Sequence, residues 1–133
     1  MEVVIDTNVL ISGMIWAGIP GRVLEMWAFK KIEAAASLDI INEYTRVAKL
    51  LAKKAPKMEL EIQVEKFIID CKMYHPTALK EQVSVDPFDD MFIACALSTE
   101  SKIIVSGDSD LLDIPKGSGV SVFKPREFLE KYF

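Results

Sequence analysis

Two aspartates follow short β-branched runs, Asp6 after Val3-Val4-Ile5 and Asp108 after Ile103-Ile104-Val105-Ser106-Gly107, while Asp86, Asp89 and Asp90 open an apolar helical stretch. In open parallel sheets, ligands sit beyond the carboxyl ends of the strands, which is where Asp6 and Asp108 fall. The chain has one histidine, His75, and two cysteines, Cys71 and Cys95, in no C-x-x-C pair. Histidine-pair mechanisms, a zinc ribbon and a disulfide scaffold are therefore set aside, and two buried thiols are expected. What remains is a set of carboxylates without nitrogen or sulfur ligands, the donor set of a hard cation such as Mg²⁺ or Mn²⁺. Such ions activate water and stabilise the oxygens of an in-line phosphoryl displacement, so phosphodiester hydrolysis is the leading chemistry.

Position separates the acids. Asp86, directly before Pro87, reads as a helix N-cap and Asp89 as a first-turn acid, each satisfied by free amides and the positive helix end. Asp90 has no such partner in sequence. At about 100° per residue it shares a face with Ile93, Ala94 and Leu97, so a cation is its expected partner. Asp108 is the better placed acid of its loop because Gly107 lets the backbone turn close to a ligand, with Asp110 second and Asp113 without a role. Asp6, within Asp6-Thr7-Asn8, has a polar turn as its simpler reading.

Glu43 lies on an expected helix whose apolar face centres near Ile40, Tyr44, Val47 and Ala48, and there it borders the core. The alternative is a solvated glutamate paired with Arg46 three residues on. Further round the same helix come Arg46, Lys53 and Lys49, a basic stripe along which a phosphate backbone can lie, or simply a solvated face.

These side chains need a frame. Val3–Ile5, Ile32–Ala36, Ile103–Val105 and Val120–Val122 read as strands without alternation. Between them, helices are expected from Pro20 through residue 31, from the Ser37 cap to a break at Pro56, over Lys57–Lys72 with His75-Pro76 closing it, over Phe88–Thr99, and after Pro125. Buried strands separated by helices imply parallel pairing with helices on both faces. The expectation is one three-layer α/β/α sandwich over residues 1–133, with no linker, repeat or low-complexity segment.

Half of the 133 residues are apolar, which supports a sizeable core and excludes a disordered chain. The net charge is −4, but residues 86–113 carry seven acids against one base, whereas Arg46 to Lys57 holds five bases and no acid. One region concentrates negative charge and another can attract a polyanion. No apolar run reaches a membrane span and the first residues lack a signal-peptide pattern, so a soluble, cytoplasmic protein with no membrane contact is expected.

Taken together, Val3-Val4-Ile5-Asp6-Thr7-Asn8-Val9-Leu10, Glu43 after Ser37-Leu38, Asp90-Met91-Phe92-Ile93-Ala94-Cys95-Ala96, and Val105-Ser106-Gly107-Asp108-Ser109-Asp110-Leu111-Leu112 resemble, in order and spacing, the PIN domain family. The resemblance covers essentially the whole chain and is nearest to prokaryotic PIN toxins of toxin–antitoxin pairs. It implies that Asp6, Glu43, Asp90 and Asp108 form the acidic quartet that binds Mg²⁺ or Mn²⁺, with Asp110 auxiliary. Thr7 and Asn8 match residues that hold the first aspartate, and Ser106 the small hydroxyl before the fourth acid. It further implies a ribonuclease of single-stranded RNA, a homodimer, and a small antitoxin protein as partner, with Arg46, Lys49 and Lys53 as the RNA-binding stripe. A non-catalytic PIN-fold module that binds RNA or a partner is the alternative. A haloacid-dehalogenase phosphotransferase would need an aspartate at Asn8, and a dinucleotide enzyme a G-x-G-x-x-G that Gly13, Gly18 and Gly21 do not supply.

Overall fold

In the computed structural model, which describes residues 1–56, 59–84 and 86–133, five strands form one parallel sheet in the order β3-β2-β1-β4-β5. The strands are β1 (Glu2–Ile5), β2 (Glu33–Ala36), β3 (Lys72–Met73), β4 (Ile103–Val105) and β5 (Ser121–Phe123). Val3–Ile5, Ala34–Ala36 and Ile103–Val105 are all buried, which is why these runs show no polar alternation. Chain direction across the sheet reverses at β1, with β2 on one side and β4 on the other. Right-handed crossovers then put the helices before β3 and the helix before β4 on opposite faces. The result is the expected α/β/α sandwich, and the reversal leaves a crevice between the ends of β1 and β4.

Register sharpens that crevice. Val3 pairs with Ile103 and Ile5 with Val105, so Asp6 and Ser106 leave neighbouring strands at the same height. The Asp6 amide donates to the Val105 carbonyl at 3.0 Å, extending the ladder one residue into the site.

Among the described residues seven helices surround the sheet: α1 (Thr7–Trp16), α2 (Gly18–Ala28), α3 (Leu38–Ala52), α4 (Leu60–Asp70), α5 (Asp90–Ser98), α6 (Ser109–Leu112) and α7 (Pro125–Tyr132). Helix α1 lies where only a turn was expected. Its sequence is apolar nearly all round and carries Gly13, so no periodic signal marks it. Gly13 is needed for packing: a Cβ there would sit 2.7 Å from Leu24 Cδ1 on α2. Ser37 caps α3 as expected, its hydroxyl accepting from the Ile40 amide. The expected start of α4, at Lys57, falls outside the described residues, and α4 ends at Asp70, so Lys72 and Met73 add an exposed edge strand instead of a last helical turn. Lys72 pairs with Glu2 at 2.7 Å, and Tyr74 also hydrogen-bonds Glu2, clipping this edge to β1. Cys71 and Cys95 are buried and free. Among the described residues no single helix is long and apolar enough to cross a membrane.

Tyr44 ties α3 to the sheet. It is fully buried, its ring meets Phe67 edge-on at 5.9 Å, and its hydroxyl donates to the carbonyl of Ile5, the residue before Asp6. Tyr44→Phe is expected to cost about 1–3 kcal/mol, because a buried acceptor loses its donor. A urea denaturation midpoint unchanged from the parent would show that this bond carries no stability.

Candidate metal centre

Asp6 ends β1 and is 95% buried, an expensive place for a carboxylate. Three neighbours fix it. The Ser106 hydroxyl donates to Asp6 Oδ2 at 2.9 Å, the Thr7 backbone amide donates to its carboxylate, and the Asp108 amide donates to Ser106 Oγ at 3.0 Å. Ser106 thus links the ends of β1 and β4 through one hydroxyl. Burial pushes the Asp6 carboxyl up to about 6; the Ser106 hydrogen bond opposes this, and the charges of Asp108 and Glu43 add to it.

Asp108 caps α6, accepting from the Asp110 amide at 3.0 Å. Its carboxyl also meets Asp89, which is 7% exposed and has Oδ2 buried without a hydrogen-bond partner. Burial, then Asp108, Asp86 and Asp6, push Asp89 up to about 7. Carboxylate oxygens of Asp86, Asp89 and Asp110 all lie within 4.8 Å of one another. Five aspartates from three separate segments therefore meet at the carboxyl ends of β1 and β4.

Asp90 does not carry its carboxylate there. It accepts from the Ser84 amide at 2.7 Å and from the Val83 amide at 3.0 Å, while Ser84 Oγ donates to the Asp110 carbonyl at 3.3 Å. In place of the expected cation, its partners are two backbone amides of the preceding loop. Asp89, expected as a first-turn acid, makes no cap hydrogen bond. A 3₁₀ turn, Pro87–Asp89, precedes α5 and puts Asp89, not Asp90, at the end of its innermost face. Three, four and seven residues beyond Asp89 stand Phe92, Ile93 and Ala96, all at most 2% exposed, whereas Asp90 leads to half-buried Leu97, a difference the all-round apolar sequence of α5 does not display.

Glu43 combines both of its readings. It holds Arg46 with oxygens at 2.9–3.2 Å, and its charge still raises Asp6. Lys49 and Lys53 are exposed along the same helix. Asn8 is exposed and, among the described residues, no hydrogen bond joins it to Asp6, while Thr7 Oγ1 is buried without a partner.

The acids fit a hard divalent cation. A buried carboxylate oxygen without a donor, crowded by like charges, needs positive charge, and among the described residues no ion pair to a lysine or arginine supplies it, Arg46 being engaged by Glu43. A family model described as a PIN domain matches residues 2–110, and no curated protein or solved structure matches the chain.

Proposed function

Since the chain belongs to the PIN domain family, whose members are generally nucleases, we propose that it is a metal-dependent endoribonuclease cutting single-stranded RNA. The observation that carries the proposal is the cluster of Asp86, Asp89 and Asp110, whose carboxylate oxygens lie within 4.8 Å of one another with one Asp89 oxygen buried and unpartnered, in the field of Asp108 and Asp6. In this reading Asp6, Asp89 and Asp108 hold Mg²⁺ or Mn²⁺, with Asp89 in the place first given to Asp90. Asp86, Asp110 and Glu43 extend the acidic field. When bound, such an ion supplies positive charge for the phosphoryl oxygens and lowers the pKa of water.

The chain's own residues supply position. Ser106 and the Thr7 amide orient Asp6, and Asp90 fixes the loop beside α5. Lys49 and Lys53 receive phosphates away from the acids, Arg46 being engaged by Glu43. A toxin role, silenced by a small antitoxin, and a homodimer in the cytoplasm complete the proposal; the resemblance supports them.

Purified protein incubated with single-stranded and structured RNAs is expected to cut in Mn²⁺ or Mg²⁺, not in EDTA, and Asp6→Asn is expected to be inactive yet folded. Cleavage by Asp6→Asn equal to the parent would overturn the site. Metal uptake without cleavage of any RNA would leave a binding module.

A further inference from the structure

A groove of about 740 Å³ opens beside the acids, between α3 and the start of α5, within the ~300–1,000 Å³ range of pockets that bury small ligands. Its apolar surface comes from Leu79, Pro87, Met91 and Ala94, and Phe88 stands at its edge with 79% of its surface exposed. An aromatic that exposed, one residue before a buried Asp89, contributes nothing to the core. The groove adjoins the acidic site: Pro87 and Phe88 of its lining stand between Asp86 and Asp89 in the chain, and Glu43, whose charge raises Asp6, is another of its walls.

Charge narrows the occupant. Asp39, Glu43, Glu81 and Asp90 line the groove against Arg46 and Lys80, and Arg46 is already engaged by Glu43. Phosphate is repelled from such a lining, but an uncharged flat ring is not. Phe88 offers a stacking face, the Arg46 guanidinium a second planar surface, and Asn42 an exposed amide able to donate and accept at a base edge.

We propose that this groove is a subsite for one unstacked nucleobase of single-stranded RNA, stacked on Phe88 while its phosphate lies toward the acids. The inference rests on the ribonuclease reading and adds to it a reason for strand selection: a base held in a duplex cannot enter.

The test uses a short single-stranded RNA carrying 2-aminopurine, bound in Mg²⁺ to the Asp6→Asn protein so that binding is read without cutting. Stacking quenches the fluorophore at one position, and adding Phe88→Ala is expected to remove the quenching and weaken binding roughly 5- to 100-fold. Phe88→Trp is expected to restore both. Cleavage by the protein with Asp6 intact is followed in parallel, so the two readings fail separately. Metal-dependent cutting with Phe88→Ala binding RNA as tightly as its parent would overturn the base subsite and leave the nuclease standing. RNA binding without quenching at any position would overturn it too. So would a dimer, seen by sedimentation, that Phe88→Ala dissociates with RNA affinity unchanged, which would give the groove to a second copy.

Discussion

Asp89→Asn is expected to abolish RNA cleavage and Mn²⁺ uptake while raising the thermal stability of the metal-free protein; Asp90→Asn is expected to lower stability and keep metal binding. The opposition follows from their surroundings. Asp89 is buried among Asp108, Asp86 and Asp6, so removing its charge relieves repulsion in the absence of metal and removes a ligand in its presence. Asp90 accepts from two backbone amides, and an asparagine has one acceptor oxygen for two donors. Hydrogen bonds to charged acceptors contribute roughly 1.5–3 kcal/mol, so the Asp90→Asn loss falls in that range. Calorimetric titration with Mn²⁺ and a melt of each variant decide it. Metal uptake retained by Asp89→Asn and lost by a folded Asp90→Asn would restore Asp90 as the ligand.

The second large effect is a pH dependence that metal reverses. Asp6 is raised to about 6 and Asp89 to about 7, against an ordinary carboxylate value of about 4. Between those values the folded metal-free chain binds more protons than the unfolded chain, so its stability is greatest near pH 4 and falls as pH rises toward 7. Asp6 alone accounts for a loss on the order of 2–3 kcal/mol, and Asp89 adds to it in the same direction. A cation that binds only the folded state restores about 2.7 kcal/mol at a hundred times its Kd. Denaturant midpoints at pH 5 and pH 7.5, in EDTA and in Mg²⁺, are expected to diverge only at the higher pH. Identical midpoints in all four conditions would show that the aspartates are neither crowded nor metal-binding.

How far each acid's surroundings can be read from the sequence is a matter of local signal. Asp6 and Asp108 are legible because each follows a β-branched strand whose burial is unambiguous, and their pairing follows from the β1–β4 register. Ser37 and Asp86 are legible as caps because capping is read within three residues. Helix α5 is apolar nearly all round, so periodicity could not say which side faces the sheet, and the 3₁₀ turn shifts the phase of the acids before it. Helix α1 was invisible for the same reason. Glu43 could be placed on its helix but not in the field of Asp6, because that proximity comes from Tyr44 docking α3 onto β1. The groove beside Phe88 joins segments dozens of residues apart and has no sequence signature.

The short strand β3 bears on how copies of this chain meet. Its two exposed residues end the sheet, and the Lys72 ammonium is held in place by Glu2 of β1. A long flat edge would recruit strands from other molecules, whereas a stub carrying a fixed cation offers too few amides for a stable added strand. Growth of the sheet from molecule to molecule, the route to fibres, is blocked at this edge. A specific association on this side of the protein then rests on helix faces, and it closes where the same patch meets itself about a two-fold axis.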